Sequence, residues 1–320
     1  MELPFHDPCS IDRHRQIAPE TFCCFGSRGV GCTWAAEIGD DVPMSQHQWS
    51  WQLLRAGAFR LDGGSMFGII PKGIWSRWTE PDDQNRIPLQ TNCLLLGDGS
   101  RRVLIETGCG SKGSPKDRSI YAMEARTILD ALGEIGVDPA SISSVIHSHV
   151  HFDHAGGLTH LDSAGDPQRS FPNAEVIVQR TEWEDALANK STMKKTYLRS
   201  HLDPVADCVR LVDGSTEVLP GITVQPLLGH TWGMQGIAFD DTSGTVAFPA
   251  DLMPTAAHVH PAASMGYDML PHETMLTKEA FLDRSTAGNC RIVLGHEPGG
   301  AIVRTVLAEG RRALVVEQQP

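Results

Sequence analysis

Residues 147–157, "HSHVHFDHAGG", place four histidines and an aspartate within eight positions, directly after the apolar, β-branched stretch "ISSVI". An imidazole is costly to bury without a partner, so a cluster of them constrains what the surrounding chain can become. "ISSVIHS" reads as a short strand running into a loop. His149 and His151 lie two apart, so in extended backbone both side chains leave on the same side. Two converging imidazoles suit a divalent cation, at about 2.0–2.1 Å per nitrogen. A turn after them sends Asp153 and His154 toward a second, neighbouring point, and Gly156 and Gly157 permit the tight backbone that follows. With His at 14 of 320 residues, this pattern arises by chance with odds on the order of 10⁻³, which makes the match specific. His147 has the same two-residue spacing to His149. The adjacent Asp153–His154 pair favours His149 and His151 as the ligands, and His147 reads as a buried strand residue or a group touching the ligands from behind.

The rest of the chain reads as layered α/β. "WQLLRAGAFRLDGG" predicts a strand, and "TNCLLLGDGSRRVLIETG" two strands joined by a tight turn. "YAMEARTILDALGEIGVDP" has helical spacing and stops at Gly136 and Pro139. "TEWEDALANK" predicts a helix with a Thr N-cap. "AEVIVQ", "ITVQPLL", "MQGIAF", "GTVAFPA" and "CRIVLGH" read as strands, "HETMLTKEAFLDRSTAG" as a helix, and the tail as a hairpin turning at "AEG". Strands in blocks with interspersed helices argue for a layered sandwich with mixed sheets rather than a strictly alternating parallel sheet. Residues 1–50 differ. Their periodicity is weak and "CCFGSRGVGC" has loop texture, so they read as an N-terminal extension to a domain over 51–320, with Met44 an alternative start.

Composition narrows the partners. Lys and Arg number 27 against 39 Asp and Glu, a net charge of −12; an acidic surface repels phosphate backbones and disfavours nucleic acid. No apolar run is long enough for a membrane span, and the N-terminus lacks the pattern of a secretory signal. The eight cysteines show no CxxC spacing. Reduced thiols in a cytoplasmic protein are the expectation, with Cys109 the thiol most worth testing.

"SHVHFDHAGG" matches the HxHxDH signature of the metallo-β-lactamase fold superfamily, and further segments resemble its later motifs in order. "LLGHTWGMQG" resembles the segment that implies His230 as third ligand of the first metal. "TVAFPADLMPTAAH" resembles the one that implies Asp251 as the carboxylate bridging both metals. "IVLGHEPGG" resembles the one that implies His296 on the second metal. The chain looks nearest to N-acyl homoserine lactonase-like and organophosphate hydrolase-like members over about residues 52–316. The resemblance implies a four-layer αββα sandwich with two mixed β-sheets, and homodimers paired through an N-terminal hairpin. The implied metal set is His149, His151 and His230 at one site, and Asp153, His154 and His296 at the other, with Asp251 shared. Zinc is the foremost cation, and manganese, iron or cobalt suit the same donors. There are three departures. Glu106 stands where the family usually has Asp in "DTG". Ala250 stands where Gly is usual. The lactonase tyrosine after the bridging Asp is replaced by Thr255.

Two such cations bring a bridging water near neutral pKa. This implies hydrolysis of an ester or lactone by a metal-bridging hydroxide, with Asp153 passing the proton to the leaving group. A phosphotriester or phosphodiester hydrolase is the alternative on the same site. A mononuclear iron dioxygenase of the same fold needs only the first site, so the complete second site weighs against it, and a degenerate binding protein is disfavoured because no ligand is missing. Residues 63–78, "GGSMFGIIPKGIWSRW", are unusually apolar for a connection. Met66, Phe67, Ile69, Trp75 and Trp78 are candidates for a lid or acyl pocket, or for a packing or dimer surface. Among the polar residues after the bridging Asp, His258 and Tyr267 are candidates to meet a small-molecule substrate; His260 and His272 read as surface residues.

Overall fold

The computed structural model describes residues 47–308 and 311–318. Residues 1–46, which hold most of the expected N-terminal extension and Met44, lie outside the described residues, as do 309–310 of the expected tail turn.

Two mixed sheets face each other. The first orders its strands as Ser50–Asp62, Arg86–Gly97, Arg102–Ile105, Ile142–Ile146, Glu175–Gln179 and Val209–Val212. Its first three strands are antiparallel and its last four parallel. The second orders Arg311–Val316, Ile302–Ala308, Arg291–Val293, Gly244–Phe248, Gln235–Asp241, Ile222–Pro226 and Thr216–Leu219. Its parallel pair is Gly244–Phe248 with Arg291–Val293. A two-stranded ribbon, Thr159–Leu161 with Pro167–Arg169, stands apart.

The alternation of side chains along the first sheet explains why it is covered on both faces. Val103, Ile105, Ile146 and Ile177 point inward, where they join Ile222, Val224, Ile237, Phe239 and Phe248 of the second sheet. Their neighbours Leu104, Val145, Val176 and Val178 point the other way, onto Ala131 and Leu132 of helix Ile128–Glu134 and Trp183 and Ala186 of helix Arg180–Leu187. Each large apolar side chain so buried contributes roughly 1.5–3 kcal/mol. On the second sheet's side, helix Pro271–Ala287 places Phe281 and Leu282 in the inner cluster, and its Thr286 hydroxyl donates to Thr305 Oγ1 at 2.8 Å. The layers run helix, sheet, sheet, helix. No helix among the described residues is long and apolar enough to cross a membrane.

Two details depart from expectation. The helix read from "YAMEARTILDALGEIG" begins only at Ile128, because Thr127 and Asp130 cap each other's backbone and start it there. The next helix begins at Arg180 without a Thr cap. Its N-cap, Gln179, spends its carboxamide instead on Gly214 O and Gln235 Oε1, both at 2.9 Å. Cys93, Cys109 and Cys208 are free thiols, as expected.

Candidate metal centre

Every expected ligand follows the end of a strand. His149 to His154 come after Ile142–Ile146 of the first sheet. His230, Asp251 and His296 come after Ile222–Pro226, Gly244–Phe248 and Arg291–Val293 of the second. The two sheets are tied together at this end. Gln235 N donates to Ser148 O at 2.9 Å and Gln235 Nε2 to His147 O at 2.7 Å, while Gln90 N donates to His296 O at 3.1 Å.

The seven side chains converge. His149 Nε2 and His230 Nε2 each lie 3.1 Å from His151 Nδ1. His154 Nε2 lies 3.1 Å from His296 Nε2, and Asp153 Oδ2 is 3.5 Å from the latter. Asp251 stands between the groups. Its Oδ2 is 3.3 Å from His230 Nε2 and 4.0 Å from His149 Nε2, and its Oδ1 is 3.3 Å from His154 Nε2 and 3.2 Å from His296 Nε2. Three triads have donor atoms within 4.8 Å of one another: His149–His151–His230, His149–His154–Asp251 and Asp153–His154–His296.

These donors fit divalent cations. All seven residues are buried, and Asp251 Oδ1 has no hydrogen-bond partner although it is shielded from water. A buried carboxylate oxygen facing imidazole lone pairs is costly unless a cation or a proton lies between them. Burial, with the neighbouring imidazoles His154 and His151, drives the His149 pKa well below the usual value. His151 is lowered likewise, by burial and then by His230 and His154. Both stay neutral, as a ligand must be. Burial also opposes charge on His154, but Asp251, Asp153 and Glu106 outweigh it and raise its pKa well above the usual value. A divalent cation competes with protons for those nitrogens.

Outside the ligands, buried acids orient the rings. Glu106 Oε2 is 3.0 Å from His147 Nδ1 and 3.4 Å from His154 Nδ1, and its Oε1 accepts from Ser148 N at 2.8 Å. His147 is thus fully buried behind the ligands, on an acid they share. Asp268 Oδ1 is 2.9 Å from His230 Nδ1 and its Oδ2 accepts from Met265 N at 3.0 Å. Such partners set the tautomer and aim of a ligating imidazole. Glu106 was legible in the sequence. Asp268 was not: it lies 38 residues from His230, and one acid in a loop carries no pattern.

A family model, the metallo-beta-lactamase superfamily, matches residues 86–296, a span that holds all seven residues. The chain belongs to that superfamily. An N-acyl homoserine lactonase of Bacillus thuringiensis is 34% identical over 172 residues, covering 50% of this chain and 62% of the relative. The match thus spans less than two thirds of the length of that curated relative. A probable metal-dependent hydrolase from Staphylococcus aureus has a TM-score of 0.75 at 28% identity, over 86% of this chain and 99% of its own. AidC, a dizinc quorum-quenching lactonase, has a TM-score of 0.69 at 18% identity, over 87% of this chain and 96% of its own, a likeness of fold. The two mixed sheets and their helical layers are the superfamily's fold.

As in other clefts that open at strand ends, the candidate metal ligands form a floor. His151, Asp153, His230, Asp251 and His296 reach it, and its walls include Leu61, Met66, Phe152, Met265, Tyr121 and Tyr267. Of the expected substrate contacts, Met66 and Tyr267 therefore line the cleft. Phe67, Trp75 and His258 do not. Phe67 stacks between Trp75, at 5.4 Å, and His258, at 4.8 Å, beside the cleft. His258 is held by Thr255 Oγ1 at 2.7 Å and Met66 O at 2.8 Å, so it and Thr255 pin the 63–78 segment from behind. Ile69 is 82% exposed at the tip of that segment, and His260 and His272 are exposed.

Proposed function

We propose that this chain is a two-metal hydrolase that cleaves an ester or lactone with an apolar acyl part. The observation that carries the reading is the placing of Asp251, whose two oxygens face two separate groups of histidines. When bound there, two divalent cations supply hydroxide from water near neutral pH and polarise a carbonyl oxygen. The protein's own groups do the rest. Met66, Leu61 and Met265 hold the acyl part and keep water from it. Asp153, on the cleft floor, takes the proton of the attacking water and delivers it to the leaving oxygen as the acyl C–O bond breaks. Glu106 and Asp268 keep His154 and His230 aimed through the cycle.

Zinc as the cation and a homodimer as the working form belong to the same reading and are carried by the family resemblance; a cytoplasmic location is carried by the cysteine spacing, which shows no CxxC pattern. The test joins metal content by mass spectrometry, molar mass by light scattering, and turnover on lactones, aryl esters and phosphotriesters. Two cations per chain with turnover on lactones or esters is expected. Turnover confined to phosphotriesters would move the reading to the phosphoryl class. His149→Ala is expected to lose hydrolysis while circular dichroism is unchanged; unaltered turnover in that variant would sink the scheme.

A further inference from the structure

One buried acid near the cluster lies outside both the candidate ligand groups and the lining of the cleft. Glu182 lies fully buried in the first turn of helix Arg180–Leu187. Its Oε1 accepts from the Val150 backbone N–H at 3.1 Å and from the Tyr197 hydroxyl at 3.1 Å. Its Oε2 accepts from the Thr231 hydroxyl at 2.6 Å.

The identity of these donors is informative. Val150 sits between His149 and His151, and Thr231 follows His230. A single carboxylate therefore binds both loops that deliver the three imidazoles of the first cluster. The third donor, Tyr197, packs its ring 4.9 Å from that of His151. The loop after His230 closes onto the same helix turn: a Cβ on Gly233 would lie 2.2 Å from Glu182 N. The second cluster has other supports. His154 rests on Glu106, and His296 Nδ1 lies 2.9 Å from Gln90 O. Core packing alone does not explain an acid here, because a buried carboxylate is costly unless several donors meet it.

We propose that Glu182 is a positioning residue for the first metal site, fixing the spacing between the His149–His151 loop and the His230 loop, with little influence on the second site. This rests on the two-metal reading above. The full-length protein, stripped with a chelator, is titrated with zinc in two single-site backgrounds. His296→Ala leaves the first cluster whole and His149→Ala leaves the second. Adding Glu182→Gln, which replaces one acceptor oxygen by a donor, is expected to weaken zinc binding 10- to 100-fold in the first background. In the second, a change of less than about twofold is expected. Equal weakening in both would show that Glu182 only props up the fold, and no weakening in either would show that it positions nothing; each overturns the inference. A wild-type protein that binds no zinc would overturn the two-metal reading itself, and the inference with it. Thr231→Val, which keeps the acid and removes its 2.6 Å bond, carries the same comparison if Glu182→Gln does not fold.

Discussion

His258 is fully buried between Thr255 and the Met66 carbonyl, and burial, reinforced by Lys278, lowers its pKa to about 4. In the unfolded chain a histidine titrates near 6.5. The unfolded state therefore takes up a proton first as pH falls, and stability present above about 6.5 is lost progressively down to about 4. The full difference is about 3 kcal/mol. Urea midpoints between pH 7 and 4 are expected to fall less steeply for His258→Gln than for the wild type; equal slopes would remove the argument. Backbone strain adds to the cost of this region. Glu106 and Ala250, two of the three residues that depart from the family's usual pattern, both have positive φ, 64° and 48°. For Ala250 the conformation explains why glycine is the usual choice. Such strain costs of order 1–3 kcal/mol and is kept where the surroundings enforce it. Of the seven candidate ligands, His149, His151, Asp153 and His154 were legible from their close spacing, and His230, Asp251 and His296 only through the resemblance to the superfamily's later motifs. Glu182 and Asp268 were not, because acids are common and their partners lie in other segments.

At the scale of elements, the loop carrying the histidines is held by close backbone approach. A Cβ on Gly156 would lie 2.0 Å from the Cys109 carbonyl oxygen, and one on Gly157 2.2 Å from that of Thr107. Neither contact is the end of a flexible side chain. Gly156→Ala is therefore expected to push the 149–154 loop off the 107–110 loop, costing about 1–3 kcal/mol. Zinc per chain, measured after gel filtration, should fall below the wild-type value; full occupancy in a folded variant would mean that the loop tolerates the shift. Strands were the most legible elements, since alternation and β-branched residues mark them locally. Helix starts were less so. Thr127 caps its helix in the middle of a longer periodic stretch, and Thr181 has the local sequence of a cap yet stands inside its helix, because the tertiary partners of Gln179 leave no trace in the local sequence.

For the whole molecule, the site is a seam. One sheet brings Asp153 and His154, the other Asp251 and His296, and a cation held by all four would link the two layers. A ligand that binds the folded state at a hundredfold excess over its Kd stabilises it by about 2.7 kcal/mol. Chelation is thus expected to lower the melting temperature by roughly 5–10 °C. Calorimetry with and without EDTA, followed by added zinc, checks this; a midpoint indifferent to both would argue against cations bridging the sheets. The sequence by itself determined the strand pattern, the candidate histidine run and the superfamily, because the first two are written in short-range spacing and the third in motifs that follow one another in order along the chain. Tertiary structure alone decided which oxygen of Asp251 faces which cluster, that His258 braces rather than lines the cleft, and that Glu182 joins two ligand loops. Those outcomes depend on contacts between segments 32 to 192 residues apart, and no local periodicity encodes them.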